Sequence, residues 1–379
     1  MIRFYFILIL FFISLLSFLK APAYYLWLLA IAVTEYPLVF AGIAALLTAT
    51  GFWVQRYQLA GTVFGLVTLA IFLSPITRAY WVSKGLKQGL TQAFGGVSTD
   101  SSPVTSNGFS IGGLFKSTKG LPYKTLTYVK YADTAMSLDF YPSQIAGNKP
   151  CVIVIHGGSW AGGDSRQLPE LNSYLAARGY NVAAINYRLA PKYQTPAPLQ
   201  DVRAALAYLK QQAGVLHIDP ARFVLLGRSA GAQIALMAAY TLHDPALIGV
   251  IDFYGPADMV WGYSAPANPL VMDSKKVMEN YIGGPYNSIP QKYAACSPLE
   301  FVDEHTIPTL IIHGDNDVLV APEHSRRLNL KLQQNGIRHY LLKLPWATHG
   351  FDYNLNGPGG QLSTYAVERF LNVVSPPAP

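Results

Sequence analysis

The stretch RFVLLGRSAGAQIALMAAYTL, residues 222–242, decides how this chain is read. Its opening, RFVLLG, is a short apolar run closed by Gly227, suited to a buried strand and too short for a helix. Its tail, SAGAQIALMAAYTL, reads as a helix. Between them stands Ser229, with Gly227 and Gly231 two positions to either side. A strand that turns directly into a helix at a serine crowds the corner, which explains both glycines. The corner lifts the hydroxyl out of the sheet and places backbone N–H groups of the helix start beside it. A serine that only caps a helix fits the same letters, so the companions of Ser229 must decide.

Outward from this corner, strands and helices alternate. TLTYVKYA (125–132) and SLDFYP (137–142) read as an opening pair of strands. CVIVIH (151–156), NVAAINY (181–187), RFVLLG, GVIDFYG (249–255), TLIIHG (309–314) and HYLLKL (339–344) follow as apolar, β-branched runs. Helical patterns lie between them: PELNSYLAARG, DVRAALAYLKQQ, HSRRLNLKLQQNG and STYAVERFLNVV. Buried strands separated by helices predict an α/β fold, a mostly parallel eight-stranded sheet with helices on both faces. Reactive groups in such sheets gather at the carboxyl ends of strands.

Four polar motifs sit at such ends. A nucleophilic serine needs a base, and the base needs an anion to orient it. WATHGF (346–351) offers His349 after the last apolar run. HGDNDVLV (313–320) offers Asp317 and Asp315; Asp317 is preferred, because a carboxylate directly after the strand and Gly314 commonly serves local backbone N–H groups. HGGSW (156–160) supplies donors for a developing oxyanion, with Gly157 and Gly158 joined by the N–H of Ala230. Of the other histidines, His217, His243, His305, His324 and His339 are expected to be solvated. His156 and His313 are expected to be hydrogen-bonded structural residues.

Together these motifs resemble the α/β-hydrolase superfamily, specifically its hormone-sensitive-lipase-like and feruloyl-esterase-like carboxylesterases. NYRLAPKYQTPAPLQDVRAALAYLK (186–210) and YIGGPYNSIPQKYAACSPLEFV (281–302) are similar to further segments of that family, and the resemblance spans about 125–373. It implies Ser229, Asp317 and His349 as a catalytic triad, the HGG donors as an oxyanion hole, and an acyl-enzyme route. Two departures stand out. Ser159 follows the glycine pair where many members have a third glycine, so Gly158 and Ser159 are alternative donors. Arg228 occupies the elbow where Asp or His is usual, and is expected to pair internally, with an acidic substrate group as the other option. Arg188 and Asp201 are expected to form a structural ion pair. The long segment 256–300, rich in aromatics and methionine, is expected to wall an acyl pocket. A prolyl-oligopeptidase-like peptidase and an inactive binding protein share this core; residues 83–122 are too short for the former's usual propeller.

The chain's first 82 residues differ in kind. Hydrophobic residues make up 51% of the 379 and charged ones only 13%, and the apolar excess is concentrated here. FYFILILFFISLLSFL (4–19), a second region from about Tyr24 to Trp53, and LAGTVFGLVTLAIFLSPITRAYW (59–81) predict three membrane helices, with a cleaved leader as the alternative for the first. Tyr24, Tyr25, Trp27, Trp53, Tyr57, Tyr80 and Trp81 lie near segment ends, where aromatic belts form. Residues 83–122 read as a flexible linker and 123–379 as the catalytic domain. The expectation is a multi-pass membrane protein. Lys20, Arg78, Lys84 and Lys87 fall on one side of three spans and lean the catalytic domain toward the cytoplasm; a different number of spans reverses the lean. The net charge of +7 is biased toward these flanks, so the lipid bilayer, not nucleic acid, is the expected partner, beside a small apolar or acylated ester substrate. No motif implies a cofactor or metal. Cys151 and Cys296 are expected to be buried free thiols.

Overall fold

The computed structural model describes residues 1–53, 56–96 and 108–375. Eight strands form one sheet: β1 (Lys124–Lys130), β2 (Ala135–Tyr141), β3 (Lys149–Ile155), β4 (Asn181–Ile185), β5 (Ile218–Arg228), β6 (Leu247–Phe253), β7 (Thr309–Gly314) and β8 (His339–Leu344). Their order is β1-β2-β4-β3-β5-β6-β7-β8. The β1–β2 and β2–β4 pairs are antiparallel and all others parallel. This is the predicted sheet. Strands β3, β4 and β7 are buried along their whole length, the mark of strands covered on both faces.

Among the described residues thirteen α-helices accompany the sheet. Four precede it: α1 (Ile2–Ser14), α2 (Tyr24–Glu35), α3 (Pro37–Ala49) and α4 (Gln58–Phe94). The others are α5 (Pro169–Ala177), α6 (Ala197–Gln211), α7 (Ala213–Leu216), α8 (Ala230–Thr241), α9 (Met259–Ser264), α10 (Ser274–Ile282), α11 (Pro290–Ala295), α12 (Glu323–Gln334) and α13 (Pro358–Val374). The expected Arg188–Asp201 ion pair forms at 2.9 Å, with the Tyr131 hydroxyl donating to the same carboxylate. Both cysteines are free and buried.

The amino-terminal region departs from expectation in two ways. The second apolar region, 24–53, is not one straight helix: α2 and the helical run Pro37–Phe52 meet at an angle of 87°. Pro37 lacks an N–H and its ring cannot continue a preceding helix, so the chain breaks there. The Glu35 carboxylate accepts the Gly359 N–H at 2.8 Å, and the Glu35 carbonyl accepts the Asn354 side-chain amide at 2.7 Å. Helix α2 is thereby pinned to the start of α13, while α3 packs with α1 and the first half of α4. Among the described residues one helix, α4, is long and apolar enough to cross a membrane, and the bent α2–α3 pair is the only further candidate.

The second departure concerns the linker. Residues 83–94 continue α4 without a break, because Leu86, Leu90 and Phe94 recur at one-turn spacing and are buried against the α/β domain. The Phe94 and Phe370 ring centres are 4.9 Å apart. Farther on, Phe109 is buried and the Ser110 N–H donates to Gln361. The remaining part of the expected linker, 97–107, lies outside the described residues.

Candidate active site

Strand β5 ends at Arg228 and α8 begins at Ala230, leaving Ser229 alone at the corner with φ 53° and ψ −121°. That positive φ is costly for a residue with a side chain and persists only where the surroundings hold it. Here the Ser229 N–H donates to the Phe253 carbonyl of β6 at 2.9 Å. A Cβ on Gly227 would strike the backbone of Gly231 and Ala232, and one on Gly231 would strike the carbonyls of Ile155 and His156. Both glycines are therefore sterically required, as the sequence pattern argued.

The three side chains expected to work together do meet. His349 Nε2 lies 3.0 Å from Ser229 Oγ, and His349 Nδ1 lies 2.7 Å from Asp317 Oδ2. Asp317 is buried and His349 nearly so. Its Oδ1 also accepts the N–H groups of Leu319 and Val320, while His313 Nε2 approaches Oδ2 at 3.2 Å. Burial alone would raise this acid, but His349 and His313 outweigh it and hold the carboxyl well below its ordinary range. Asp315 sits apart, 3.8 Å from Arg326 at the surface. Asp317, not Asp315, is the carboxylate that meets His349, although it is also Asp317 that serves the local backbone N–H groups.

The oxyanion donors need one correction. The Gly157 N–H is already committed to the Gln167 side-chain oxygen at 2.7 Å. The N–H groups of Gly158, Ser159 and Ala230 have no acceptor among the described residues. Gly158 has φ 122°, and a Cβ there would collide with the Gly162 carbonyl, so only glycine fits this turn. The N–H groups left open beside Ser229 are thus those of Gly158, Ser159 and Ala230, and not that of Gly157.

Behind the site, Arg228 Nε donates to Asp352 Oδ2 at 2.5 Å, and the Tyr254 hydroxyl donates to Asp352 Oδ1. The Tyr254 ring packs against the His349 ring with centres 4.3 Å apart. Arg228 is thus an internal partner, buried at 2% exposure, as expected, although it also borders the smaller chamber beside Ser229. His156 and His313 are buried and hydrogen-bonded, as expected. His324 contradicts its expectation. It is buried against Trp261 and accepts the Asp258 N–H, and burial pushes its pKa down to about 3.

Ser229 stands between two chambers. One, about 440 Å³, is walled by Pro266, Met272, Val277 and Met278 on one side and Val318 and Leu319 on the other. The other, about 340 Å³, runs past Gly158, Gln167, Tyr254 and His349. Segment 256–300 does wall the larger chamber, with Met272 and Met278 but with none of its aromatics: Tyr281 stacks on Trp160 at 4.4 Å, and Trp261 packs on His324.

Both chambers also use residues from the amino-terminal region. Lys20, Ala21 and Pro22 line the first, and Tyr24 and Trp27 the second. The Trp27 indole N–H donates to the His349 carbonyl at 3.0 Å, within a buried cluster that includes Leu16, Ala30 and Ile31 and packs on Val318 and Leu319. Trp27, expected at a lipid interface, is buried over the histidine loop. Nothing in the local pattern of α2 distinguishes Trp27 from its neighbours, and 322 positions separate it from His349. Asp352 was closer to hand, three residues past His349.

A family model described as BD-FAE matches residues 138–332, more than half of the chain. The probable carboxylic ester hydrolase LipM of Mycobacterium tuberculosis is 30% identical over 240 residues, covering 60% of this chain and 55% of that protein. Esterase LipC of the same organism is 29% identical over 262 residues, covering 64% and 63%. The chain thus spans less than two thirds of the length of these curated relatives. Among solved structures, Thermogutta terrifontis esterase 2 phosphonylated by sarin aligns with a TM-score of 0.58 at 21% identity, covering 69% of this chain and 98% of that one. An acetyl ester-xyloside bifunctional hydrolase from Caldicellulosiruptor lactoaceticus gives 0.56 at 20% identity, covering 66% and 95%. The chain belongs to the BD-FAE family and carries the α/β-hydrolase fold.

Proposed function

We propose that this protein is a membrane-anchored serine carboxylester hydrolase acting through Ser229, His349 and Asp317. The observation that carries the reading is the unbroken relay from Ser229 Oγ through both ring nitrogens of His349 to a buried carboxylate, at 3.0 and 2.7 Å. His349 takes the hydroxyl proton as Ser229 attacks the ester carbonyl. Asp317 holds the imidazole tautomer and stabilises the cation that forms. The carbonyl oxygen, now negative, is received by the N–H groups of Gly158, Ser159 and Ala230. The tetrahedral adduct collapses, the alcohol leaves with the proton from His349, and the acyl group stays on Ser229. Water then attacks the acyl-enzyme with His349 as base, releasing the acid and restoring the serine. No step draws on a cofactor.

Anchoring rests on the outer surface of α1, α3 and the first half of α4. Phe6, Ile9, Phe12, Val39, Leu46, Leu59 and Leu66 are exposed there, an apolar face of the kind that contacts a membrane. Arg3, bonded to the Leu47 and Thr48 carbonyls, marks one end of this bundle, and Arg78, bonded to the Ser17 carbonyl, marks the other. Lys20, Arg78, Lys84 and Lys87 lie toward the end next to the α/β domain, and this excess of cations supports a cytoplasmic reading for that domain by the positive-inside tendency. Substrates are small apolar or acylated esters that fit the chamber beside Ser229.

The test is hydrolysis of p-nitrophenyl acetate by the wild-type chain and by Ser229→Ala. The variant is expected to lose activity by a factor on the order of 10⁶. Wild-type turnover in Ser229→Ala would remove this serine from the mechanism.

A further inference from the structure

The chamber beside Ser229 is closed on its outer side by Lys20, Ala21 and Pro22, which join α1 to α2. This turn is tied to the opposite lip, since the Asn268 side-chain amide donates to the Pro22 carbonyl and the Tyr24 N–H donates to the Leu270 carbonyl, both at 3.1 Å. On its other side the same turn borders a crevice of about 360 Å³ between α1 and α2, formed by Phe12, Leu16, Leu19 and Leu26. Lys20 and Pro22 line both spaces. The crevice opens outward: Phe12 is 61% exposed, Leu19 58% and Leu26 39%. It lies on the apolar surface of the helical region, so its mouth faces the same side as the exposed residues of α1.

We propose that the substrate is an ester whose long acyl chain resides in the bilayer, and that the chain reaches Ser229 sideways through this crevice, passing Lys20 and Pro22. The inference rests on the ester-hydrolase reading above and adds the substrate class and its route. Moving an acyl chain from lipid into water costs about 0.8 kcal/mol for each methylene exposed. A route that keeps the chain against Phe12, Leu16, Leu19 and Leu26 avoids that cost, whereas entry from the aqueous side does not. Lys20 stands at the junction, where a long amphipathic side chain keeps its stem on apolar surface and its ammonium at the polar boundary. The ester group then arrives at Ser229 with its chain along Met272 and Leu319, which also line the chamber.

The experiment uses the full chain in phosphatidylcholine vesicles, with p-nitrophenyl decanoate and p-nitrophenyl acetate as the two esters. Rates are expressed per active site, titrated with a fluorophosphonate, so that misfolded molecules drop out. Leu19→Glu and Leu26→Glu are each expected to lower the decanoate-to-acetate ratio of kcat/KM about tenfold, the scale on which an apolar subsite discriminates. Leu26→Met, which keeps the wall apolar, retains the ratio, as does Phe115→Glu, a charge at an exposed site outside the crevice. An unchanged ratio in both crevice variants overturns the route, and so does an equal fall in Phe115→Glu. Wild-type protein that neither turns over acetate nor takes the phosphonate overturns the hydrolase reading itself, a result separate from any change in the ratio.

Discussion

In the α/β domain the large apolar side chains point inward, and strands β3, β4 and β7 are buried from end to end. In α1, α3 and the first half of α4 they point both ways: Ile7 and Phe72 are buried while Phe6, Phe12 and Leu66 lie open. One driving force produces both patterns. Apolar surface leaves water: the α/β domain hides it inside itself, and on the membrane-anchored reading proposed above the amino-terminal helices would hide theirs in lipid as well. Helix α2 joins the two regions. Its Val33 packs with Ala41, Ala44 and Phe72 of the bundle, while Trp27, Ile31 and Glu35 lie on the α/β domain. The contrast between the two regions is therefore one of surface, and the seam between them runs through the catalytic site.

After the loss expected of Ser229→Ala, the largest effect lies wholly inside the α/β domain. Asp317→Asn keeps the shape but removes the charge that orients His349, and kcat on p-nitrophenyl acetate is expected to fall about 10⁴-fold. If that variant kept its rate, the relay would be idle and the site would lie elsewhere.

A second effect tests the buried polar groups of the same domain. His324 titrates near 3 in the folded chain, below the ordinary imidazole value of 6.5, because burial disfavours the cation. Between those values the unfolded chain binds the proton and the folded chain does not. His324 thus costs stability increasingly as pH falls from about 6.5 toward about 3. Denaturation of His324→Gln is expected to show a shallower acid slope, by about 1.4 kcal/mol per pH unit in that window. A slope unchanged from wild type would mean that the histidine takes its proton while folded.

Two smaller effects probe the seam. Glu35→Ala leaves the buried Gly359 N–H without its acceptor and is expected to cost about 1–3 kcal/mol of stability. If chemical denaturation in detergent shows no loss, α2 is an ornament on the α/β domain and not part of it. Trp27→Phe removes one donor to the His349 carbonyl and is expected to lower kcat about tenfold with KM little changed, as for a residue that positions the histidine without touching substrate. A fall in the number of titratable active sites, with kcat per site intact, would instead assign Trp27 a purely structural part.

The site was legible in the chain wherever chemistry and local geometry coincide. Ser229 was marked by the glycines its corner requires, and His349 and Asp317 by their places after apolar runs that became β8 and β7. The strand runs TLIIHG and HYLLKL matched β7 and β8 to the residue; β7 is buried throughout and reads as a continuous apolar run, while β8, at the sheet edge, is only partly buried. Less was legible where partners come from afar. Gly157 was expected to donate to an oxyanion, but whether Gln167 folds back to occupy its N–H depends on a loop, which no local pattern reports. His324 was expected in water because its own helix is polar, yet burial is a property of what packs on that helix.

Composition and periodicity by themselves determined the sheet, the tight corner at Ser229 and the presence of an apolar amino-terminal region, and they singled out Asp317 and His349 as candidates. These depend on sterics and hydropathy within a few residues. Only the tertiary structure decided that the supposed linker continues α4 through Phe94, that the second apolar region bends at Pro37, and that α2 covers the histidine. Those outcomes turn on which of several available apolar surfaces a helix is laid against. That choice is a comparison of packing energies over the whole chain, and an apolar stretch reads the same whether lipid or a neighbouring domain covers it.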